Sequence, residues 1–173
     1  IVVPLAHAEP KEYTADWESL KDFPTPEWYD DAKFGIMVSW GPYAVPGWIS
    51  YGYAEWYPSR LYRDSKVLKY HEKTFGPLSK VGYKDFIPMF KAEHWDPEAW
   101  AELFVKGGAK YIVPIAEHHD GFAMWDSELT TWDAKERGPK RDIIGDLEKT
   151  CRARGLRYAP SYHRERHPSY YTK

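Results

Sequence analysis

The chain has 173 residues, of which 43% are hydrophobic and 29% are charged. These proportions are typical of a globular protein with a hydrophobic core and exclude an intrinsically disordered chain. The net charge is -2, from 24 Lys and Arg against 26 Asp and Glu, so no overall positive field would attract nucleic acid. No segment approaches the run of about 20 apolar residues that spans a bilayer. We therefore expect neither a nucleic acid nor a membrane as a partner.

The first eight residues are short and apolar, and they end in Ala6-His7-Ala8. Small residues in this pattern are typical of a cleavage site, so we interpret residues 1–8 as the remnant of a signal peptide; the alternative is an ordinary N-terminal tail. This interpretation predicts an extracytoplasmic location, whether secreted, periplasmic or lysosomal-type. No initiator Met precedes the segment and no signal near Lys173 ends a fold, so we expect truncation at both ends. The single cysteine, Cys151, is neutral about the compartment.

The first half of the chain contains one clear strand. A short helix is predicted over residues 26–32, and the apolar run 34–40 before Gly41-Pro42 predicts a buried strand. Residues 41–83 are rich in Gly, Pro, Tyr and Trp and are predicted to be long and irregular, as in a binding or lid segment. Further helical segments are predicted near 62–75 and 83–90.

The second half alternates helices and strands. Asp96 caps a predicted helix that ends at Gly107-Gly108, and the strand 111–116 follows at once. A second amphipathic helix is predicted over about 142–154, followed by a strand over 156–162. Strands alternating with helices indicate right-handed crossovers and a parallel sheet. No glycine-rich phosphate loop follows any strand, so we predict an α/β fold made of about three βα units of a (β/α)8 TIM-like barrel.

Polar residues gather where the three predicted strands end. These clusters are Ser39-Trp40-Gly41, Glu117-His118-His119-Asp120 and Tyr162-His163-Arg164-Glu165. In a (β/α) barrel the active site lies at the carboxyl ends of the strands. Packing alone explains such a pattern poorly, so we expect a binding site there.

His118 and His119 admit three interpretations: sugar binding, local structural bonding or a metal site. Adjacent residues of a strand point to opposite faces, which disfavours a shared metal, and no ligand spacing supports one. Neutral histidine both donates and accepts hydrogen bonds, which suits sugar hydroxyls. Glu55 and Trp56 in the long segment are read either as a hydroxyl acceptor beside a stacking ring or as a solvated Glu beside an anchoring Trp. In Gly138 to Asp142, a phosphate loop is disfavoured: Asp142 is expected to cap the next helix and Arg141 to form an ion pair.

Several segments together resemble the retaining α-L-fucosidases. They are Trp28-Tyr29-x-x-Ala32-Lys33-Phe34-Gly35-Ile36, Trp40-Gly41-x-Tyr43-x-Val45-Pro46, Glu55-Trp56-Tyr57, Trp100-Ala101-x-Leu103, Gly108-Ala109-Lys110-Tyr111, His118-His119-Asp120-Gly121-Phe122 and Gly138-Pro139-Lys140-Arg141-Asp142. The resemblance covers about residues 26–163. It implies a (β/α) barrel, of which residues 9–173 would be the incomplete N-terminal part.

The resemblance also implies roles for individual residues. The implied substrate-binding residues are His118, His119, Glu55, Trp56 and Tyr162. From the strand-end clusters we add Ser39, Trp40 and His163 as candidate substrate-binding residues. No catalytic residue is expected within the chain, because the family's nucleophilic Asp and its acid/base lie after later strands; Asp120 belongs to the binding strand end. Ser39 stands where many members have His, and residues 161–165 also depart from the commoner form, which puts the exact sugar and linkage in doubt.

The expected function is hydrolysis of terminal α-L-fucosides in a fucosylated oligosaccharide or glycoconjugate, without a cofactor or metal. The fragment alone is expected to be inactive. Another exo-glycosidase on the same barrel and a non-catalytic carbohydrate-binding protein remain as alternatives. Nothing in the sequence indicates an oligomeric state.

Overall fold

The computed structural model describes residues 12–164, and the chain divides between Lys33 and Phe34 into two compact units. The first unit contains helix α1, Trp17–Leu20, and helix α2, Glu27–Ala32. The side chain of Asp16 caps α1 by accepting a hydrogen bond from the Ser19 amide. The predicted helix over 26–32 is confirmed as α2.

The second unit is built on a parallel sheet. Its strands are β1 (Gly35–Val38), β2 (Tyr111–Glu117), β3 (Arg157–Tyr158) and β4 (Ser161–Tyr162). Strand β2 lies between β1 and β3 and also pairs with β4, and every pairing is parallel. The predicted parallel α/β arrangement is confirmed, with neighbours in the sheet following chain order.

The strand predicted over 156–162 is divided in two. The Ala159 amide still donates to the Ile112 carbonyl at 3.0 Å, but Pro160 has no amide hydrogen to continue the ladder. The register on β2 shifts between Ile115 and Glu117 where β4 pairs. The last strand of this sheet is therefore interrupted at Pro160.

Two helices connect the strands, and both carry the predicted caps. Helix α5, Pro97–Lys106, begins after Asp96, and helix α6, Ile143–Ala153, begins after Asp142. Each Asp side chain accepts a backbone amide of the first turn, at 3.0 and 2.7 Å. Arg141 forms an ion pair with Asp146 at 2.7 Å. The structural interpretation of Gly138 to Asp142 is confirmed, because Asp142 caps α6 and Arg141 pairs with a residue of that helix.

The long segment between β1 and α5 contains the two predicted helical stretches and three further short helices. It contains the helices α3 (Tyr57–Leu61) and α4 (Ser65–Thr74) and the 3-10 helices Pro42–Ala44, Ala54–Trp56 and Tyr83–Met89. His71 is fully buried and contacts the Tyr57 hydroxyl and the Val81 carbonyl, each at 2.9 Å. The helical segments predicted near 62–75 and 83–90 are confirmed, and the aromatic residues of the long segment build a small core of their own. That core contains Tyr43, Tyr57, Leu61, Val67, Tyr83 and Phe86.

The main core lies between the sheet and helices α5 and α6. Its fully or nearly fully buried members include Ala101, Phe104, Ile112, Ile143, Leu147 and Cys151. Burial of each large apolar side chain contributes about 1.5–3 kcal/mol, so this layer fixes β2 and the residues that follow it. Across residues 12–164, none of the helices is long and apolar enough to cross a membrane.

Candidate functional site

The site lies where β2 ends. Glu117 is the last residue of the strand, and the chain then turns sharply, with the Gly121 amide donating to the His118 carbonyl at 3.0 Å. After the turn, Met124 donates back to the Ala116 carbonyl at 2.8 Å. His118 and His119 therefore lie beyond the strand, and the expectation that neighbouring side chains point to opposite faces does not hold there.

Three histidine rings converge at this turn. The rings of His118 and His119 lie 4.6 Å apart between centroids, and His163 lies 5.4 and 5.9 Å from them. The His163 amide donates to the Glu117 carbonyl at 2.8 Å, which fixes the position of His163 at the end of β4. The structure thus brings together the histidines that the sequence placed after two different strands.

Two further aromatic rings flank the histidines. The Trp56 ring lies 5.4 Å from His119 and 6.3 Å from His118, and the Tyr43 ring lies 5.7 Å from His118. Ser39 is within hydrogen-bonding distance of the Tyr43 hydroxyl, at 3.1 Å. Of the predicted residues, Trp56 of the long segment contacts the histidines directly, and Ser39 at the end of β1 reaches them through Tyr43.

Burial sets the charge state of the two central groups. His118 is 6% exposed, and burial, followed by the nearby His119 and His163, lowers its pKa from 6.5 to about 3. Burial also raises the pKa of Tyr43 above its usual value of 10. The hydrogen bond with Ser39 partly offsets this rise, and the negative charges of Asp120 and Glu55 add to it. At neutral pH, His118 is therefore a neutral donor and acceptor, and Tyr43 keeps its proton.

The two carboxylates at the turn have structural contacts. One oxygen of Asp120 accepts the Tyr83 hydroxyl at 2.7 Å, and the other accepts the Phe122 amide at 3.2 Å. Glu117 is 2% exposed and lies 3.5 Å from the Arg164 guanidinium. These contacts fix the turn and hold both carboxylates in place.

Two predicted residues lie elsewhere. Trp40 packs in the main core, with its ring 5.1–5.4 Å from Phe90, Trp95 and Trp100. Because its ring packs in this core, Trp40 is not retained in the site.

Tyr162 contacts residues outside the histidine cluster. It is 52% exposed, its ring lies 6.1 Å from Trp125, and its hydroxyl accepts a hydrogen bond from Arg164 at 2.8 Å. His163, the next residue, makes the contact that was also expected of Tyr162.

Sequence reasoning missed Tyr43 and Tyr83 as members of the site. Tyr43 belongs to the Trp-Gly-x-Tyr motif directly after the first strand, and this position could have predicted its place in the site. Tyr83 is 37 residues from Asp120, and nothing local in the sequence indicates that they pair. Within residues 12–164, no group of three or more His, Cys, Asp or Glu side chains is arranged to hold a metal ion.

Comparisons with known proteins agree with the geometry. A family model described as alpha-L-fucosidase matches residues 2–173. Tissue alpha-L-fucosidase of Rattus norvegicus is 41% identical over 150 residues, which cover 86% of this chain and 32% of the relative. Alpha-L-fucosidase of Dictyostelium discoideum is 40% identical over 151 residues, which cover 84% and 32%.

A solved structure shows the same fold. Thermotoga maritima alpha-fucosidase in complex with fucose superposes with a TM-score of 0.82 at 46% identity, over 87% of this chain and 37% of that chain. The chain therefore spans about a third of the length of the relatives that it matches. On both its sequence and its fold, the chain belongs to the alpha-L-fucosidase family.

Proposed function

We propose that the whole protein is a glycoside hydrolase that releases terminal α-L-fucose with retention of configuration. The observation that supports this most directly is the convergence of His118, His119 and Trp56 at the carboxyl end of β2 in a chain of this family. The substrate would be a fucosylated oligosaccharide or glycoconjugate, and we place the reaction outside the cytoplasm.

The pocket suits a sugar because it combines neutral hydrogen-bonding groups with a flat ring. His118, neutral above a pKa of about 3, can accept from one hydroxyl and donate to another. Trp56 offers an apolar face to the C–H groups of the sugar ring. Glu55, adjacent to it, would accept hydroxyl hydrogens, and His119 and His163 would complete the polar wall.

We further propose that this chain supplies the first three βα units of a (β/α)8 barrel. A complete barrel needs about 250 residues. The parallel strands in consecutive order support this proposal, because a barrel adds each new strand beside the last. The histidines would then face the barrel's mouth.

The same proposal assigns the bond cleavage to residues outside this chain. A retaining glycosidase needs two carboxyl groups about 5–5.5 Å apart, one as nucleophile and one as acid/base. Asp120 and Glu117 have structural partners instead. The chain would therefore bind and orient the fucose, and it would not hydrolyse a fucoside by itself.

Kinetics of the whole protein on an aryl α-L-fucoside test this function. Wild-type protein should release the phenol and give the α-anomer of fucose first in a proton NMR time course. His119→Asn should lower kcat/KM by about tenfold, since one hydrogen bond to the sugar is worth about 1–1.5 kcal/mol. The exposed His94 offers a matched control, and His94→Asn should leave the rate unchanged. A wild-type protein without turnover, or with the β-anomer as first product, would refute the proposal.

A second candidate is an exo-glycosidase of the same fold with another sugar preference. Ser39 supports it, because the short side chain contacts Tyr43 and offers only one hydroxyl at this position. A panel of aryl glycosides decides between the two: faster turnover of another sugar than of the α-L-fucoside would favour this candidate. Binding of fucose without turnover of any glycoside would favour a binding protein.

A further inference from the structure

Next to the histidine cluster lies an open cleft of about 610 Å³. It is lined by Tyr51, Gly52, Tyr53, Trp56 and Arg60. Trp56 belongs to both places, since it also contacts His119 at 5.4 Å. Trp56 therefore borders both the cleft and the histidine cluster.

The cleft carries aromatic rings that folding leaves exposed. Tyr51 is 80% exposed and Tyr53 is 72% exposed. An aromatic side chain can bury 150–250 Å² of surface, so two neighbouring tyrosines in water contribute little to the stability of the fold. They are poor packing residues and a good surface for a ligand.

Local geometry holds both tyrosines at the cleft. Gly52 between them has φ +93°, a left-handed conformation that other residues adopt only with strain. A Cβ atom added at Gly52 would meet nothing within 4 Å. Crowding therefore does not explain the glycine, whereas the turn that presents Tyr51 and Tyr53 does.

One cation completes the lining. Arg60 lies on α3, and it is the only charged side chain among the lining residues that the structure describes. A guanidinium donates several hydrogen bonds in one plane and matches hydroxyl and carbonyl oxygens. Flat rings beside such a donor are what a pyranose ring requires, with C–H groups on its face and oxygens at its edge.

We infer that this cleft binds the sugar to which the fucose is attached, with Tyr51 and Tyr53 stacking on the leaving-group ring and Arg60 bonding its oxygens. The inference rests on the proposed fucosidase function. Residues 51–53 would then select the leaving group, whereas the histidines would bind the fucose.

The test compares two substrates of the whole protein that share the fucosyl group. One is a fucosylated disaccharide, and the other is α-L-fucosyl fluoride, whose leaving group has no ring. Tyr51→Ala and Tyr53→Ala should each lower kcat/KM for the disaccharide by about three- to tenfold, the contribution of one aromatic contact. Neither substitution should change kcat/KM for the fluoride beyond about twofold.

Three further variants sharpen the comparison. Tyr51→Phe keeps the ring and should retain most of the disaccharide activity, whereas Arg60→Met should lose disaccharide activity alone. Trp17→Ala, at a residue that is 85% exposed and does not line the cleft, should affect neither substrate.

Each outcome decides the inference. An equal loss on both substrates would overturn it, since the tyrosines would then serve the fucose pocket or the fold. No loss on the disaccharide would overturn it as well, while leaving the fucosidase function in place. If wild-type protein hydrolysed neither substrate, the proposed function would fail, and this inference would fail with it.

Discussion

The hydrogen bond between Tyr83 and Asp120 gives the sharpest prediction about how the site is built. Both residues are 3% exposed, and the hydroxyl donates to the carboxylate at 2.7 Å. Tyr83→Phe removes the hydroxyl and keeps the ring in place. A buried hydrogen bond to a charged group is worth about 1.5–3 kcal/mol, so the free energy of unfolding should fall by about 2 kcal/mol.

Urea unfolding of the whole protein, followed by tryptophan fluorescence, measures this loss. Tyr51→Phe is the matched control: its residue is 80% exposed, so the same change should stay within about 0.5 kcal/mol. Because Asp120 holds the turn after His119, Tyr83→Phe should also raise KM for an aryl α-L-fucoside. A free energy of unfolding for Tyr83→Phe as close to wild type as that of the control would refute the reasoning.

Three other predictions concern protonation, strain and reactivity. In the folded protein the pKa of His118 is about 3, below its ordinary 6.5, so unfolding between these pH values takes up a proton. The free energy of unfolding should therefore fall as the pH drops from 6.5 towards 3, by at most about 1.4 kcal/mol per pH unit. Urea titrations of His118→Gln should show a shallower fall. Gly138→Ala should destabilise the protein by about 2 kcal/mol or more, because φ is +59° and the new Cβ would lie 2.9 Å from the carbonyl oxygens of Ile87 and Phe90; an unchanged melting temperature would contradict this. Cys151 is fully buried and burial raises its pKa to about 11, so its thiol should react with Ellman's reagent only after denaturation, and rapid labelling of native protein would disprove its burial.

The sequence predicts well the features that depend on neighbouring residues. The caps at Asp96 and Asp142 and the apolar run of β2 are local signals, and the structure reproduces them. The ion pair of Arg141 with Asp146 is local in the same way. The parallel order of the strands follows from the alternation of helices and strands, which is also visible in the chain.

Features that depend on distant contacts are less accessible from the sequence. Trp40 was expected in the site, but its position depends on packing against Trp95 and Trp100, which lie more than 50 residues further along the chain. The rings of His118 and His119 meet because both residues lie beyond β2, which ends at Glu117, so strand alternation no longer separates them.

A crystal structure of the whole protein with bound L-fucose would show whether His118, His119 and Trp56 form the fucose pocket. We expect fucose hydroxyls within about 3 Å of ring nitrogens of His118 and His119, with a face of the sugar against Trp56. Fucose bound at a site that these three residues do not touch would contradict this expectation.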